Sequence, residues 1–216
     1  MSYHIIETMA DIEQGVQSLS ATCPLMLKAY EKAGLPPLRR NENNFKSLSR
    51  TVTGQLLSVA SASAIWARVE QLAQPFEAGT ILSLAEQPLK KAGLSNAKIR
   101  TLKALASAIQ NDEIDFARFE TEPENLVREQ LVRVHGIGPW TADIYVMFCL
   151  GRADGFAPGD VALANATGRL KKMPKRPTPS QLTIIARQWS PWRGVAARLL
   201  WHYYAVVKNV KTETDR

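Results

Sequence analysis

The sequence predicts an all-α fold of nine or ten helices, and three observations carry that prediction. Apolar residues recur at helical spacing nearly throughout. No alternating apolar–polar run is longer than a few residues, so strands have no signature here. Helix-start residues, Pro24, Ser95 and Pro139 among them, stand at the heads of the periodic segments.

The elements follow in order. Residues 8–33 divide into short amphipathic segments, with Pro24 placed to start a second helix. "GLPPLRRNEN" (34–43) is a linker: its prolines forbid helix and its polar residues suit solvent. A long apolar-periodic stretch runs from Phe45 to Leu72, with Gly54 inside it. Residues 78–111 hold at least two helices; Ser95 caps one of them, and Ile99, Leu102, Leu105, Ala106 and Ile109 mark its inner face. In "TEPENLVREQLVRV" (121–134), Thr121 is the expected cap, Pro123 sits in the first turn and acids lead. That helix ends at the Gly136 turn, and residues 139–150 continue helically. "GRADGFAPGD" (151–160) is a loop, and further helices are expected at about 161–171, 179–189 and 191–209.

The 216 residues suit one large domain or two small ones. Lys and Arg number 27 against 20 Asp and Glu, a net charge of +7, which fits a polyanionic partner as well as simple solubility. The two cysteines, Cys23 and Cys149, form no CxxC pair, which argues against a structural zinc site, an iron–sulfur cluster or a disulfide framework. No basic segment followed by an apolar one marks the start as a secretion signal, and a cytoplasmic location is expected. No apolar run approaches the roughly 20 residues of a membrane span.

"VHGIGPWTADIYVMF" (134–148) interrupts the helical pattern with a tight glycine turn. Gly136 and Gly138 permit a hairpin, and Pro139 stands in the first turn of the next helix. Backbone N–H groups at a helix start, with no side chain on the glycines to block approach, form an anion site. Such a site grips a sugar–phosphate backbone without reading bases. The competing reading is an αα-hairpin whose glycines serve packing only.

The turn resembles the helix-hairpin-helix element of DNA-binding proteins. About twenty residues later comes "FAPGDVALANA", with Asp160 opening a helix. Together these resemble the signature of the helix-hairpin-helix (HhH-GPD) DNA glycosylase superfamily. "TVTGQLLSVASASAIWARV" (51–69) and "SPWRGVAARLLWHYY" (190–204) are similar to segments of its bacterial 3-methyladenine glycosylase II branch. The four motifs agree in order over about residues 44–205. His135 stands where a proline is more usual, and Ile144 where some members carry a pocket aromatic. The β-rich N-terminal domain of some members is not expected, because only about 40 residues precede Phe45.

The resemblance implies two helical lobes with the active-site cleft between them. Residues 1–43 would be N-terminal helices packing on the second lobe, 44–134 a lobe with the base wedge, and 135–216 the hairpin, catalytic loop and C-terminal helices. It implies a monofunctional hydrolase that excises alkylated purines from duplex DNA in base excision repair. The alternatives are a non-catalytic DNA-binding module and a glycosylase for deaminated or oxidised bases. Asp160 is the implied catalytic carboxylate, though an aspartate there is also a good N-cap. Asp143 and Asp154 are the neighbouring carboxylates. Trp140 stands where strand-cutting relatives carry a Schiff-base lysine, which implies no lyase activity. Trp140, Trp201, Ile144 and Tyr145 are the implied base-pocket residues, the tryptophans serving equally well in a core. Gln55 and Leu56 are the implied wedge, with Ser58 capping the helix that follows. Gly136, Gly138 and Thr141 are the implied DNA-backbone contacts, joined by the basic run "RLKKMPKRP" (169–177). The carbonyls of Val132, Val134 and Ile137 match a site for a structural Na+ or K+ ion. No other cofactor, no obligate protein partner and a monomeric state are expected.

Overall fold

The computed structural model describes residues 4–214, with side chains as far as Lys208. Among the described residues the fold is all-helical, and the one β feature is an isolated bridge between Ile5 and Arg152. No helix there is long and apolar enough to cross a membrane. The chain forms two compact units, one of Asn41–Leu150 and one of Met1–Arg40 with Gly151–Arg216.

The Asn41–Leu150 unit holds eight helices: α3 (Phe45–Gly54), α4 (Val59–Leu72), α5 (Ala78–Ser83), α6 (Glu86–Lys91), α7 (Asn96–Gln110), α8 (Phe116–Phe119), α9 (Glu124–Arg133) and α10 (Pro139–Phe148). The apolar run Phe45–Leu72 is thus two helices, and Ser58 caps α4 by accepting the Ser61 N–H. Ser95 caps α7 as expected, accepting from Lys98 N. Thr121 caps nothing; its hydroxyl donates to the Arg118 carbonyl behind it, and Pro123 takes the N-cap of α9. Leu102 and Leu105 of α7, Leu48 of α3, Leu131 of α9 and Val146 of α10 are wholly enclosed in one core. Burying one leucine stabilises by about 1.5–3 kcal/mol.

The other unit holds α1 (Met9–Thr22), α2 (Pro24–Ala33), α11 (Val161–Leu170), α12 (Pro179–Ala186), a 3-10 turn (Arg187–Trp189) and α13 (Arg193–Thr214). Thr8 and Asp11 form a capping box on α1, and Pro24 begins α2. Both helices pack on α13, as does α11. Ile6 donates to Gly151 and Ala153 to His4, which ties the segment before α1 to the start of the 151–160 loop.

Two expectations change. Thirteen α-helices are present among the described residues rather than nine or ten. The surplus is α5, α6 and α8, of six, six and four residues, too short to repeat a 3.6-residue period. The division expected at 134/135 falls at 150/151, because α10 packs on α9 and α3 and so stays with them.

Candidate nucleic-acid interface and active site

In the Asn41–Leu150 unit, the hairpin between α9 and α10 is shaped by two glycines with different duties. Gly136 sits at φ +83°, and a Cβ there would collide with the Thr101 hydroxyl of α7. Gly138 is the N-cap of α10, at φ −93° and ψ 173°, and a Cβ there would meet nothing within 4 Å. Ile137 between them is 3% exposed, an apolar anchor that holds the turn down. The start of α10 therefore faces open space from a fixed base, the condition for backbone amides to take an anion.

The turn between α3 and α4 carries the most exposed large apolar side chain among the described residues. Leu56 has φ +58° and is fully open, at 104% of its reference area. The left-handed backbone costs a leucine about 1–2 kcal/mol. Such strain persists where its surroundings hold it and gathers at functional sites. Gln55 departs from the wedge expectation. Its side-chain amide turns inward, donating to Thr141 Oγ1 at 2.7 Å and to the Gly136 carbonyl at 3.4 Å. Thr141 departs likewise: it is 2% exposed, and its hydroxyl receives Gln55 rather than solvent. Beside this turn, Lys98 Nζ donates to the Thr53 carbonyl at 2.8 Å, and burial pushes its ammonium below the ordinary value. Neither contact has a sequence signal, because each joins residues far apart in the chain.

Of the expected pocket residues on α10, Trp140 and Ile144 are half-buried. Tyr145 is core: it is fully enclosed beside Phe116 and Phe119, and its hydroxyl donates to Asn43. One helical residue separates it from Ile144, a rotation of about 100° that turns it inward.

Asp143 is engaged structurally. Arg128 Nε donates to its carboxylate at 2.7 Å, and Arg128 also pairs with Glu124 at 3.0 Å. Burial pushes the Asp143 carboxyl above its ordinary 3.8, against the pull of Arg128 and with a smaller push from Glu124. A carboxyl whose folded pKa is raised binds its proton more tightly when folded. Its stabilising contribution is full below the unfolded pKa and is lost as pH rises through the folded one. Urea melts from pH 3.8 upward should therefore show Asp143→Asn gaining stability relative to wild type as pH rises. Parallel curves would refute this.

In the other unit, Asp160 is the N-cap of α11, half-buried. One oxygen, Oδ1, accepts from Leu163 N at 2.9 Å and from Trp201 Nε1 at 3.0 Å. The capping reading is borne out: the helix start fixes the carboxylate, and an indole N–H orients it. Trp201 is half-buried with its polar edge on Asp160, whereas Trp192 is buried and stacks edge-on with His4. Asp154 is committed elsewhere: Arg193 grips it through two guanidinium nitrogens, at 2.9 and 2.7 Å, and the Arg193 backbone N–H and the Ser190 hydroxyl add two more bonds. At the far end of α11, Arg169 lies over the Tyr204 ring at 5.3 Å. It lines a recess of about 270 Å³ with Lys172 and Arg176, and no carboxylate shares that lining.

A glycine hairpin open at a helix start, beside a turn that exposes a strained leucine, is a helix-hairpin-helix element within the Asn41–Leu150 unit. The family model for the HhH-GPD superfamily of base excision DNA repair proteins matches residues 49–191, and the chain belongs to that superfamily. DNA-3-methyladenine glycosylase 1 of Schizosaccharomyces pombe is 29% identical over 164 residues, 73% of this chain and 71% of that protein. A putative DNA-3-methyladenine glycosylase of Bacillus subtilis is 26% identical over 122 residues, 56% of this chain but only 42% of its own length. The solved structure of a Schizosaccharomyces pombe 3-methyladenine DNA glycosylase with abasic DNA superposes with a TM-score of 0.81 at 26% identity, covering 87% of this chain and 95% of that one.

Proposed function

We propose that this protein is a monofunctional DNA glycosylase that hydrolyses the N-glycosidic bond of alkylated purines, of the 3-methyladenine type, in duplex DNA. The observation that carries the proposal is the Asp160 carboxylate, capped on α11 and oriented by Trp201, in a chain whose relatives bear that activity in their names.

The hairpin at Gly136 and Gly138 takes a backbone phosphate, and the basic recess of Arg169, Lys172 and Arg176 adds charge for the polyanion. Leu56 enters the stack in place of the damaged nucleotide, offsetting lost stacking while the base swings out. In the unit that holds Asp160, Trp201 is the proposed contact of the extruded base, its indole suiting a cationic ring. A 3-alkylated purine carries positive charge and leaves neutral with the bond's electron pair, so no acid need protonate it. Positive charge then builds on the sugar, and the Asp160 carboxylate stabilises it. Water closes on C1′, its proton is released, and an abasic site remains. Trp140 has no amine, so the sugar is not captured as a Schiff base.

The hairpin carbonyls of Val132, Val134 and Ile137 are the proposed holders of a Na+ or K+ ion. The Val134 carbonyl already accepts Ile137 N–H and keeps a second lone pair, and neutral oxygens suit a monovalent ion. Such an ion would supply positive charge toward a DNA phosphate.

The test is base release from duplexes carrying methylated, deaminated or oxidised purines, with strand integrity read before and after alkali. Release of methylated bases with strand breaks only after alkali is expected. Release confined to the other lesions would overturn the substrate class, and breaks without alkali would overturn the monofunctional reading.

A further inference from the structure

We infer that Gln55 is a positioning residue that couples the phosphate-gripping hairpin to the wedge turn, and that the wedge is Leu56 alone. The inference rests on the DNA reading above and adds a part to it. Gln55 ends α3 with its backbone already extended, at φ −53° and ψ 130°, so its side chain points away from the helix it closes. Its amide spans to two places on the hairpin: the Thr141 hydroxyl in the first turn of α10, and the carbonyl of Gly136. The very next residue is the strained, fully exposed Leu56.

The turn is pinned on its other sides by two local contacts and one from α7. Leu57 N–H closes on the Gly54 carbonyl, Ser58 caps α4, and Lys98 holds the Thr53 carbonyl. None of these reaches the hairpin. Gln55 does, and it ends on the same residues that shape the glycine turn. Thr141 is 2% exposed and lies on the helix the hairpin starts, so the tie is anchored in rigid structure. A phosphate seated at the hairpin and a leucine entering the stack are thereby held at one separation. The tie sets where the wedge stands when the backbone is gripped, so its loss should slow base extrusion more than it weakens duplex binding.

The experiment compares wild type with Gln55→Leu, Thr141→Val, their double variant, Thr141→Ser and Leu56→Ala. Each is read by duplex affinity, by thermal melting, and by fluorescence of 2-aminopurine unstacking in duplex DNA. Gln55→Leu and Thr141→Val should each slow unstacking about tenfold with affinity held within about twofold. The double variant should be no slower than either single one, and Thr141→Ser should behave as wild type. If Leu56→Ala slows unstacking and Gln55→Leu does not, the inference is overturned and the wedge stands. If Leu56→Ala has no effect, the wedge reading itself fails. Additive slowing in the double variant, or loss of fold in both Gln55→Leu and Thr141→Val, would reduce the tie to a structural contact and overturn the coupling.

Discussion

Asp160→Asn should fold, bind duplex DNA and release almost no base. Asparagine is as good an N-cap as aspartate, and its amide oxygen can still accept the Leu163 N–H and the Trp201 indole N–H. What disappears is the negative charge that, in the proposed reaction, stands beside a sugar becoming cationic as the bond breaks. Losing one preorganised electrostatic contact of this kind costs about 10²–10³ in rate. Single-turnover base release from a methylated duplex, read beside duplex affinity and melting temperature, separates the two roles of this residue. If the carboxylate only caps α11, the variant keeps its rate. A variant that retains wild-type release would therefore remove Asp160 from the chemistry, whereas binding without release by wild type itself would favour the non-catalytic alternative.

Gly136→Ala and Gly138→Ala should fail in opposite ways, although the two glycines are one residue apart. At Gly136 an alanine would sit at φ +83° with its methyl driven into the Thr101 hydroxyl. Thr101 is 3% exposed and bonded to the Ala97 carbonyl, so it has nowhere to go. The backbone penalty of about 1–2 kcal/mol adds to an overpacking cost of about 1–3 kcal/mol. Thermal melting should fall by roughly 5–15 °C, at about 2–4 °C per kcal/mol for a chain of this size. At Gly138 a methyl would meet nothing within 4 Å and the backbone is ordinary, so the melt should be unchanged. Duplex binding should still weaken, because the methyl stands where a phosphate must approach. Equal melts for the two variants would show that Thr101 yields; equal and undiminished binding would show that the hairpin does not hold DNA.

The parts of this molecule that sequence reveals are those fixed within a few residues of themselves. Ser58, Ser95 and Asp160 announce helix starts because a cap bonds three residues ahead, and the glycine hairpin announces itself because positive φ is a local demand. Leu56 is legible only through resemblance, since a leucine in an apolar run looks like core until its backbone is known. The inward contacts of Gln55 and Tyr145 escape the sequence for a common reason. Their partners, Thr141 and Asn43, are 86 and 102 residues away, and no periodicity reports a contact of that range. Thr121 shows the converse: it reads locally as a cap, yet its hydroxyl closes the turn behind it and the helix starts from Pro123.

The path of the chain through its two units bears on how the protein is made. Asn41–Leu150 is continuous, so every residue it needs is synthesised in one run. The other unit is assembled from the stretch before it and the stretch after it. Helices α1 and α2 are made before the rest of that unit, yet the helix they pack against, α13, follows its other helices. The faces of α1 and α2 that α13 covers must wait while about 160 further residues are translated. The later segment therefore completes its core on the ribosome before the earlier one, the reverse of the usual N-terminal-first order. During that interval the first two helices are the part of the nascent chain most open to chaperones and to misassociation.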